Sequence, residues 1–186
     1  MASGSVWYED TAYRGLLDED WDLDVVRTVA EELVRQFGNE GAVEWLDNGT
    51  EHPHRVALRV HIRVVDALVE EFGQRLLHNG LQVQTICSGA GEWRYVDCVP
   101  KNGGKLKALE FVRRLYGIAR GRCVAAGDSG NDILMLNGEN PAIVVGNAQD
   151  GLREWLLHQP QAERVIYTEA RLAKGILEGL SRHGLY

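Results

Sequence analysis

The sequence lacks the features that would place the chain in or across a membrane. No apolar run approaches the ~20 residues that a membrane-spanning helix needs. The N-terminus has no basic region followed by an apolar stretch, so a signal peptide is not predicted. These absences predict a cytoplasmic protein with no membrane partner.

Cysteine is scarce, and its spacing excludes the common cysteine-based sites. The chain has 3 cysteines, Cys87, Cys98 and Cys123, and they form no CxxC pair. A zinc site or a disulfide framework would need more cysteines or closer spacing. Each cysteine lies within an apolar run or at its end, so we expect reduced, largely buried thiols.

Runs of basic residues are absent as well. The net charge is −7 over 186 residues, which disfavours a nucleic-acid partner. The apolar share of 45% and the charged share of 25% are typical of globular proteins, and a chain of this length buries a core without a disulfide or metal. Because the chain is acidic overall, any site for a phosphorylated substrate must be a local one.

Apolar periodicity in residues 21–99 predicts an α+β unit with a mainly antiparallel sheet. Val56, Leu58, Val60 and Ile62 alternate with Ala57, Arg59 and His61, which predicts a strand over 55–62 with one buried face. The remaining predictions are helices over 24–37 and 64–78, strands over 43–46, 81–87 and 93–99, a strand start at 6–8 and a turn at 47–49.

The pattern changes near Pro100, where we place a domain boundary. A helix is predicted over 105–116, followed by strands over 123–126, 142–145 and 164–167 and helices over 132–136, 150–158 and 170–182. Residues 123–126 are continuously apolar, as in a strand covered on both faces. This alternation with short connections predicts a parallel sheet flanked by helices, as in part of a doubly wound α/β fold.

Polar residues cluster directly after the predicted strand 123–126. Gly127–Asp132 reads GDSGND and lies where ligands of doubly wound sheets bind, at the carboxyl end of a strand. Mg²⁺ prefers one or two carboxylates together with waters and phosphate oxygens, and Asp128 is the residue that we place on it. The alternative is that Asp128, Ser129 and Asn131 only cap a helix and fill a turn.

A lysine and two histidines form weaker candidates. Lys105 follows Gly103-Gly104 at a helix start, where the helix dipole disfavours a cation, so it needs a carboxylate or phosphate partner unless it is a solvated surface lysine. His52 and His54 flank Pro53 before a strand, which fits polar loop histidines better than a metal pair.

These motifs together resemble those of a known family. A glycine-led lysine followed by GDSGND resembles motifs III and IV of the haloacid-dehalogenase-like phosphatases, and the sucrose-phosphate phosphatases most of all. Pro100–Leu109 (PKNGGKLKAL) is similar to that family's PKGxGKGxAL run. The segments Gly127–Asp132, Val144–Gln149, Thr168–Leu185 and His52–Arg55 are also similar to it.

The resemblance implies a fold and a set of roles. It implies a haloacid-dehalogenase-like core with an α+β cap: residues 1–20 as the core-to-cap crossing, 21–99 as the substrate-specificity cap and 100–186 as the C-terminal half of the core. Lys105 and Asn131 would contact phosphate, Asp128 would ligate Mg²⁺, and Asp132 would support both the metal and the lysine. The family's nucleophile is an aspartate in a DxDx[TV] motif, which forms an aspartyl-phosphate.

The sequence departs from the family pattern in three places. Motifs I and II are not found, and position 106 is leucine where the family has glycine. Asp18–Asp22 offers only a superficial DxDxD, because Gly15-Leu16-Leu17 is too short for the strand that should precede it. We therefore expect the chain to be a fragment that is inactive by itself, with an exposed sheet edge and poor solubility.

Three functions follow as competing hypotheses. The first is an Mg²⁺-dependent phosphatase for sucrose 6-phosphate, and the second a phosphatase for another glycosyl phosphate such as mannosylglycerate phosphate. The third is a non-catalytic module that binds a sugar phosphate or interacts with a sucrose-phosphate synthase.

Overall fold

The computed structural model describes residues 11–38, 41–46, 52–89, 91–158 and 163–186. The chain divides into two compact units, residues 1–104 and 105–186. The strand start predicted at 6–8 and the turn predicted at 47–49 lie outside the described residues.

The first unit combines an antiparallel sheet with helices. Its elements are α1 (Thr11–Asp18), α2 (Leu23–Phe37), β1 (Val43–Trp45), β2 (Val56–His61), α3 (Ile62–His78), β3 (Val83–Ser88) and β4 (Trp93–Pro100). The sheet order is β1-β2-β4-β3, and every neighbouring pair is antiparallel. The predicted antiparallel sheet is confirmed.

The core of this unit lies between one sheet face and the helices α2 and α3. Val56, Leu58 and Val60 of β2 are buried there, as the alternation predicts. Leu33 of α2 and Phe72 of α3 pack in the same cluster and are fully buried. Side chains of this size contribute about 1.5–3 kcal/mol each when buried, so this face fixes the register of the sheet.

Two details of the first unit differ from the sequence prediction. Helix α1 was not predicted, although it buries Tyr13 and Leu17, which lie four residues apart on one helix face. Ile62 was predicted to face the core but is 47% exposed. The reason is that β2 ends at His61, whose ring Nδ1 accepts a hydrogen bond from Arg63 N and so caps α3.

The second unit is a three-stranded parallel sheet with helices. Its elements are α4 (Lys105–Leu115), β5 (Ala125–Gly127), α5 (Ile133–Leu136), β6 (Ala142–Val144), α6 (Asp150–Leu157), β7 (Val165–Tyr167) and α7 (Leu172–Arg182). The strand order is β5-β6-β7, with both pairs parallel. The predicted α/β class and parallel sheet are therefore confirmed.

Strand β5 is shorter and less covered than predicted. It begins at Ala125, since Cys123 and Val124 have no regular structure after a 3₁₀ turn over Arg120–Arg122. Ala125 is buried, whereas Ala126 and Gly127 are half-buried. Within the described residues, β5 pairs on one side only, with β6.

The cysteines are free, as expected, but they are not all buried. Cys98 is buried in the first core, and burial raises the pKa of its thiol. Cys123 is half-buried, and Cys87 is exposed. The prediction was wrong for Cys87 because β3 forms an edge of its sheet. No helix in the described ranges is long and apolar enough to cross a membrane.

A cluster of ion pairs surrounds Glu110 in the middle of α4. Glu110 accepts hydrogen bonds from Arg113 Nη2 (2.9 Å) and Asn140 Nδ2 (2.7 Å). The bond from Arg113, followed by that from Asn140 and the nearby arginine charges, lowers the pKa of Glu110 from 4.5 to about 2. The charged carboxylate is therefore the form that the folded chain favours.

Glu110 is expected to make the stability of the chain acid-sensitive. Because its folded pKa lies below its unfolded pKa, its contribution is present above pH 4.5 and is lost as the pH falls towards 2. The free energies of unfolding of the parent chain and of Glu110→Gln, measured in urea, should differ at neutral pH and become equal in acid. Glu154→Gln, an exposed change on α6, is the control. A difference that stays constant with pH would contradict this role.

Candidate active site

The GDSGND segment lies at the carboxyl edge of the parallel sheet. β5 ends at Gly127, and the chain then forms a 3₁₀ turn over Gly130–Asp132 that leads into α5. The loop after β6 holds this segment through its backbone. Val145 N donates to Gly127 O at 3.3 Å, and Gln149 N donates to Asp128 O at 2.8 Å. The segment is thus fixed at the edge where ligands of such sheets bind.

Asp132 organises the loop from within. Its Oδ2 accepts hydrogen bonds from the backbone N–H groups of Asp128 (3.1 Å) and Ser129 (3.2 Å) and from Ser129 Oγ (3.3 Å). Its Oδ1 lies 2.5 Å from Lys105 Nζ, and its side chain is only 8% exposed. Both oxygens of Asp132 are therefore already engaged with donors of this chain.

Gly127 allows the Asp132 carboxylate to lie against the strand end. A Cβ at position 127 would lie 2.5 Å from Asp132 Cβ and 2.8 Å from its Oδ2. Such distances are shorter than real contacts, so no other residue fits without displacing Asp132. The glycine before the motif is thus a packing requirement of this site.

Lys105 is the first residue of α4 and points its ammonium group into the loop. Nζ donates to Asn131 Oδ1 at 3.0 Å as well as to Asp132 Oδ1. The anionic partner that the sequence required is thus Asp132, which offsets the unfavourable helix dipole at this position. The lysine side chain is 28% exposed.

The unusual leucine at position 106 also has a packing role. A Cβ at position 138 would lie 2.6 Å from Leu106 Cδ1, so this side chain covers Gly138 at the end of α5. Leu106 therefore packs α4 against α5.

Asp128 differs from Asp132 in its surroundings. It is exposed, and its carboxylate makes no ion pair with any residue in the described ranges. Three or more His, Cys, Asp or Glu side chains do not converge anywhere in those ranges. One free carboxylate at a strand end still fits Mg²⁺, which takes most of its ligands from water and phosphate. Asp128 fits as a direct ligand, and Asp132 fits as its support.

The capping alternative holds for part of the motif only. Ser129 and Asp132 form a capping box around the 3₁₀ turn, and Ser129 Oγ donates to Asn131 Oδ1 at 2.7 Å. Capping therefore accounts for Ser129, Asn131 and Asp132. It does not account for Asp128, whose carboxylate takes no part in the box.

The acidic segment Asp18–Asp22 is structural. Asp18 Oδ1 lies 2.7 Å from His54 Nε2, Glu19 accepts from Asn102 Nδ2 at 2.9 Å, and Asp20 pairs with Lys101. Asp22 Oδ1 caps α2 by accepting from Asp24 N and Val25 N. The acidic side chains at positions 18, 19, 20 and 22 are thus each engaged in a contact.

Contacts and burial also affect three residues near this segment, Lys101, His54 and His52. Lys101 is half-buried, and its hydrogen bond to Asp20 raises its pKa. His54 is a loop residue, as expected, but it is buried against Asp18. Burial lowers the pKa of His52, with a smaller effect of Arg55.

The loop Val145–Gln149 is the part of the site to which the sequence assigned no role. Its amides hold the backbone of Gly127 and Asp128. Backbone donors carry no side-chain signature, so the available signals were the similarity of Val144–Gln149 to the family's segment and its position after β6, at the same sheet edge as the motif.

Comparison with known proteins places these features in a family. A family model of sucrose-6F-phosphate phosphohydrolases matches residues 1–184. A HAD-like hydrolase of Nitrosococcus oceani is 33% identical over 118 residues, which is 61% of this chain and 31% of that protein. The chain thus spans about a third of the length of this curated relative.

Solved structures share the fold. The sucrose-phosphatase of Synechocystis sp. PCC6803, determined with sucrose and phosphate, matches with a TM-score of 0.78 and 23% identity, over 94% of this chain and 67% of that one. A phosphatase of the haloalkanoate (HAD) superfamily from Bacteroides thetaiotaomicron matches with a TM-score of 0.60 and 15% identity, over 87% and 65%. Because the family match covers nearly the whole sequence, the chain belongs to the sucrose-6F-phosphate phosphohydrolases, a family of phosphatases that hydrolyse phosphate monoesters.

Proposed function

We propose that this chain supplies the Mg²⁺- and lysine-bearing part of an Mg²⁺-dependent phosphatase site for a sugar phosphate, with sucrose 6-phosphate as the first candidate. The observation that carries the proposal is the pairing of Lys105 with Asp132 and Asn131 beside the free carboxylate of Asp128. A fixed ammonium and an unpaired carboxylate at one strand end match the two needs of phosphoryl chemistry, an anion partner and a cation ligand.

Each residue has a distinct task in this proposal. Asp128 would hold Mg²⁺, which when bound offsets charge on the phosphoryl oxygens. Lys105 binds the phosphoryl group through an ammonium that Asp132 holds in place. Asn131 Oδ1 accepts from Lys105 and from Ser129, which leaves its amide NH₂ as a donor for a phosphate oxygen.

The choice of sugar rests on the family and not on the site. The matching family is named for sucrose 6F-phosphate, and the Synechocystis structure contains sucrose and phosphate. A screen of sucrose 6-phosphate, mannosylglycerate phosphate and other glycosyl phosphates, read as binding heats, tests the assignment. Tighter binding of another glycosyl phosphate would contradict sucrose 6-phosphate as the substrate.

A second candidate function is a sugar-phosphate-binding module without turnover, which also fits an interaction with a sucrose-phosphate synthase. The sequence contains no DxDx[TV] motif, and the acidic segment Asp18–Asp22 is engaged in structural contacts. The genomic sequence upstream of Met1 separates the two functions. An in-frame strand ending in DxDx[TV] supports the phosphatase, whereas its absence supports the module.

The 186-residue chain is expected to bind sucrose 6-phosphate with Mg²⁺ but to release no phosphate from it, because its sequence has no DxDx[TV] motif to place an aspartate nucleophile. A colorimetric assay of released phosphate, with the substrate and Mg²⁺ in excess, measures this. Phosphate release above a no-protein control would overturn the expected inactivity and exclude the module.

Asp128→Ala is expected to weaken divalent-cation binding by about 100-fold or more while leaving thermal unfolding unchanged, because the exposed carboxylate supports the metal and no part of the fold. Mn²⁺ titration followed by electron paramagnetic resonance measures the affinity. Asp66→Ala, an exposed change on α3, is the control. Equal Mn²⁺ affinity in the two variants would remove Asp128 from the site.

A further inference from the structure

The loop after β6 forms hydrogen bonds both with the proposed metal-binding segment and with the start of the last helix, α7. Its last residue, Gln149, donates its backbone N–H to Asp128 O at 2.8 Å. That bond fixes the peptide that follows Asp128, the proposed Mg²⁺ ligand. Any residue that fixes the loop therefore acts on Asp128 without touching a ligand.

Helix α7 begins in a strained conformation. Leu172, its first residue, has φ of +53°, in the left-handed region that residues other than glycine and asparagine rarely adopt. Its side chain is 67% exposed, so packing of that side chain does not explain the conformation. Strain of this kind persists only where the surrounding structure imposes it.

Asn147 makes a side-chain hydrogen bond to this strained helix start. Arg171, in the capping position, provides no side-chain hydrogen bond to the helix. Asn147 Oδ1 accepts from Leu172 N at 2.7 Å, and the two residues are 25 apart in sequence. The loop after β6 thus supplies the cap that the sequence preceding α7 lacks.

The two loops also fit closely through their backbones. Gly146 N donates to Ala170 O at 2.9 Å. A Cβ at position 146 would lie 2.4 Å from Glu169 O and 2.9 Å from Ala170 O, so the loops meet without space for a side chain. The Asn147 bond and this contact lie within two consecutive residues of one loop, which leaves that loop little freedom to shift.

We propose that Asn147 is a positioning residue for Asp128: by accepting from Leu172 N, it holds the loop so that Gln149 N–H fixes the backbone of the metal-binding segment. This inference deepens the proposed function and rests on it for the role of Asp128. The alternative is that Asn147 only stabilises the start of α7, and in that case its loss would lower stability without changing the affinity for metal.

Asn147→Ala is expected to weaken Mn²⁺ binding by about 10-fold, the lower end of the range for residues that support a metal ligand. Asn147→Asp keeps an acceptor for Leu172 N and is expected to retain affinity within about 3-fold, because a carboxylate also suits a helix N-terminus. Asn137→Ala, an exposed asparagine at the end of α5, is the matched control. Mn²⁺ titration by electron paramagnetic resonance gives all affinities.

A stability control separates positioning from simple destabilisation. Gly179→Ala would place a Cβ 2.6 Å from Ile143 Cδ1, which destabilises α7 away from Asn147. It is expected to lower the melting temperature and leave Mn²⁺ affinity unchanged. The positioning role would be overturned if Gly179→Ala weakened Mn²⁺ binding as much as Asn147→Ala does. It would also be overturned if Asn147→Ala bound Mn²⁺ with the affinity of the parent chain.

Amide hydrogen exchange provides a second measurement that needs no metal. In the metal-free chain, exchange of the Gln149 amide is expected to accelerate by about 10-fold or more in Asn147→Ala, since the loop opens more often. The Leu156 amide, one turn further along α6, should be unaffected. If the parent chain and Asp128→Ala bind Mn²⁺ equally, the proposed function fails at Asp128. Unchanged Gln149 exchange would overturn the inference itself.

Discussion

Asp132→Asn is expected to lower the free energy of unfolding by about 2 kcal/mol and Mn²⁺ affinity by about 10–100-fold. Oδ1 of Asp132 faces the Lys105 ammonium, and Oδ2 faces the amides of Asp128 and Ser129 and the Ser129 hydroxyl. An asparagine amide has one acceptor and one donor end, so in either orientation its NH₂ group meets donors. The loop and the lysine cannot both remain in place.

Urea unfolding and Mn²⁺ titration measure the two effects on the same samples. Asp66→Asn makes the same chemical change at an exposed position of α3 and should alter neither. An Asp132→Asn variant with the stability and the affinity of the parent chain would show that this carboxylate does not organise the site.

Gly127→Ala is the second change with a large expected effect, at about 2 kcal/mol of unfolding free energy, typical of forced overpacking. The new methyl group would lie 2.5 Å from Asp132 Cβ and 2.8 Å from its Cγ. The atoms that must move are Cβ and Cγ of the buried Asp132 side chain. They lie close to the backbone, so a rotation of the side chain's end does not relieve the overlap. The displaced carboxylate would release Lys105, so phosphate affinity is expected to fall as well.

Gly130→Ala provides a matched control within the same motif. A Cβ at position 130 meets nothing within 4 Å. We therefore expect Gly130→Ala to change stability by less than about 0.5 kcal/mol, as a surface substitution does. Melting curves compare the stability of the two variants, and phosphate titrations compare their phosphate affinity. Equal effects of the two substitutions would mean that the close approach of Asp132 to Gly127 is unimportant.

Sequence patterns predicted the features that depend on local periodicity and on motif chemistry. The alternation of Val56, Leu58 and Val60 predicts the buried face of β2 because a strand repeats every two residues. The requirement for an anion beside Lys105 predicts its partner class because a helix start disfavours a cation. The structure then identifies that partner as Asp132.

The features that the sequence did not reveal depend on contacts between distant residues. Asn147 meets Leu172 across 25 residues, and its acceptor role follows from where two loops converge. Gln149 acts through its backbone N–H, a group that every residue other than proline has. Cys87 lies in an apolar run, and only the strand order shows that β3 is an edge strand.

Calorimetric titration of sucrose 6-phosphate into the parent chain, with Mg²⁺ and then with a chelator, tests the central claim most directly. The claim is that Lys105 and Asp128 together form a site for Mg²⁺ and a phosphoryl group. It predicts binding that requires Mg²⁺ and is lost in Asp128→Ala. Binding that is equally tight in the chelator, or in Asp128→Ala, would contradict it.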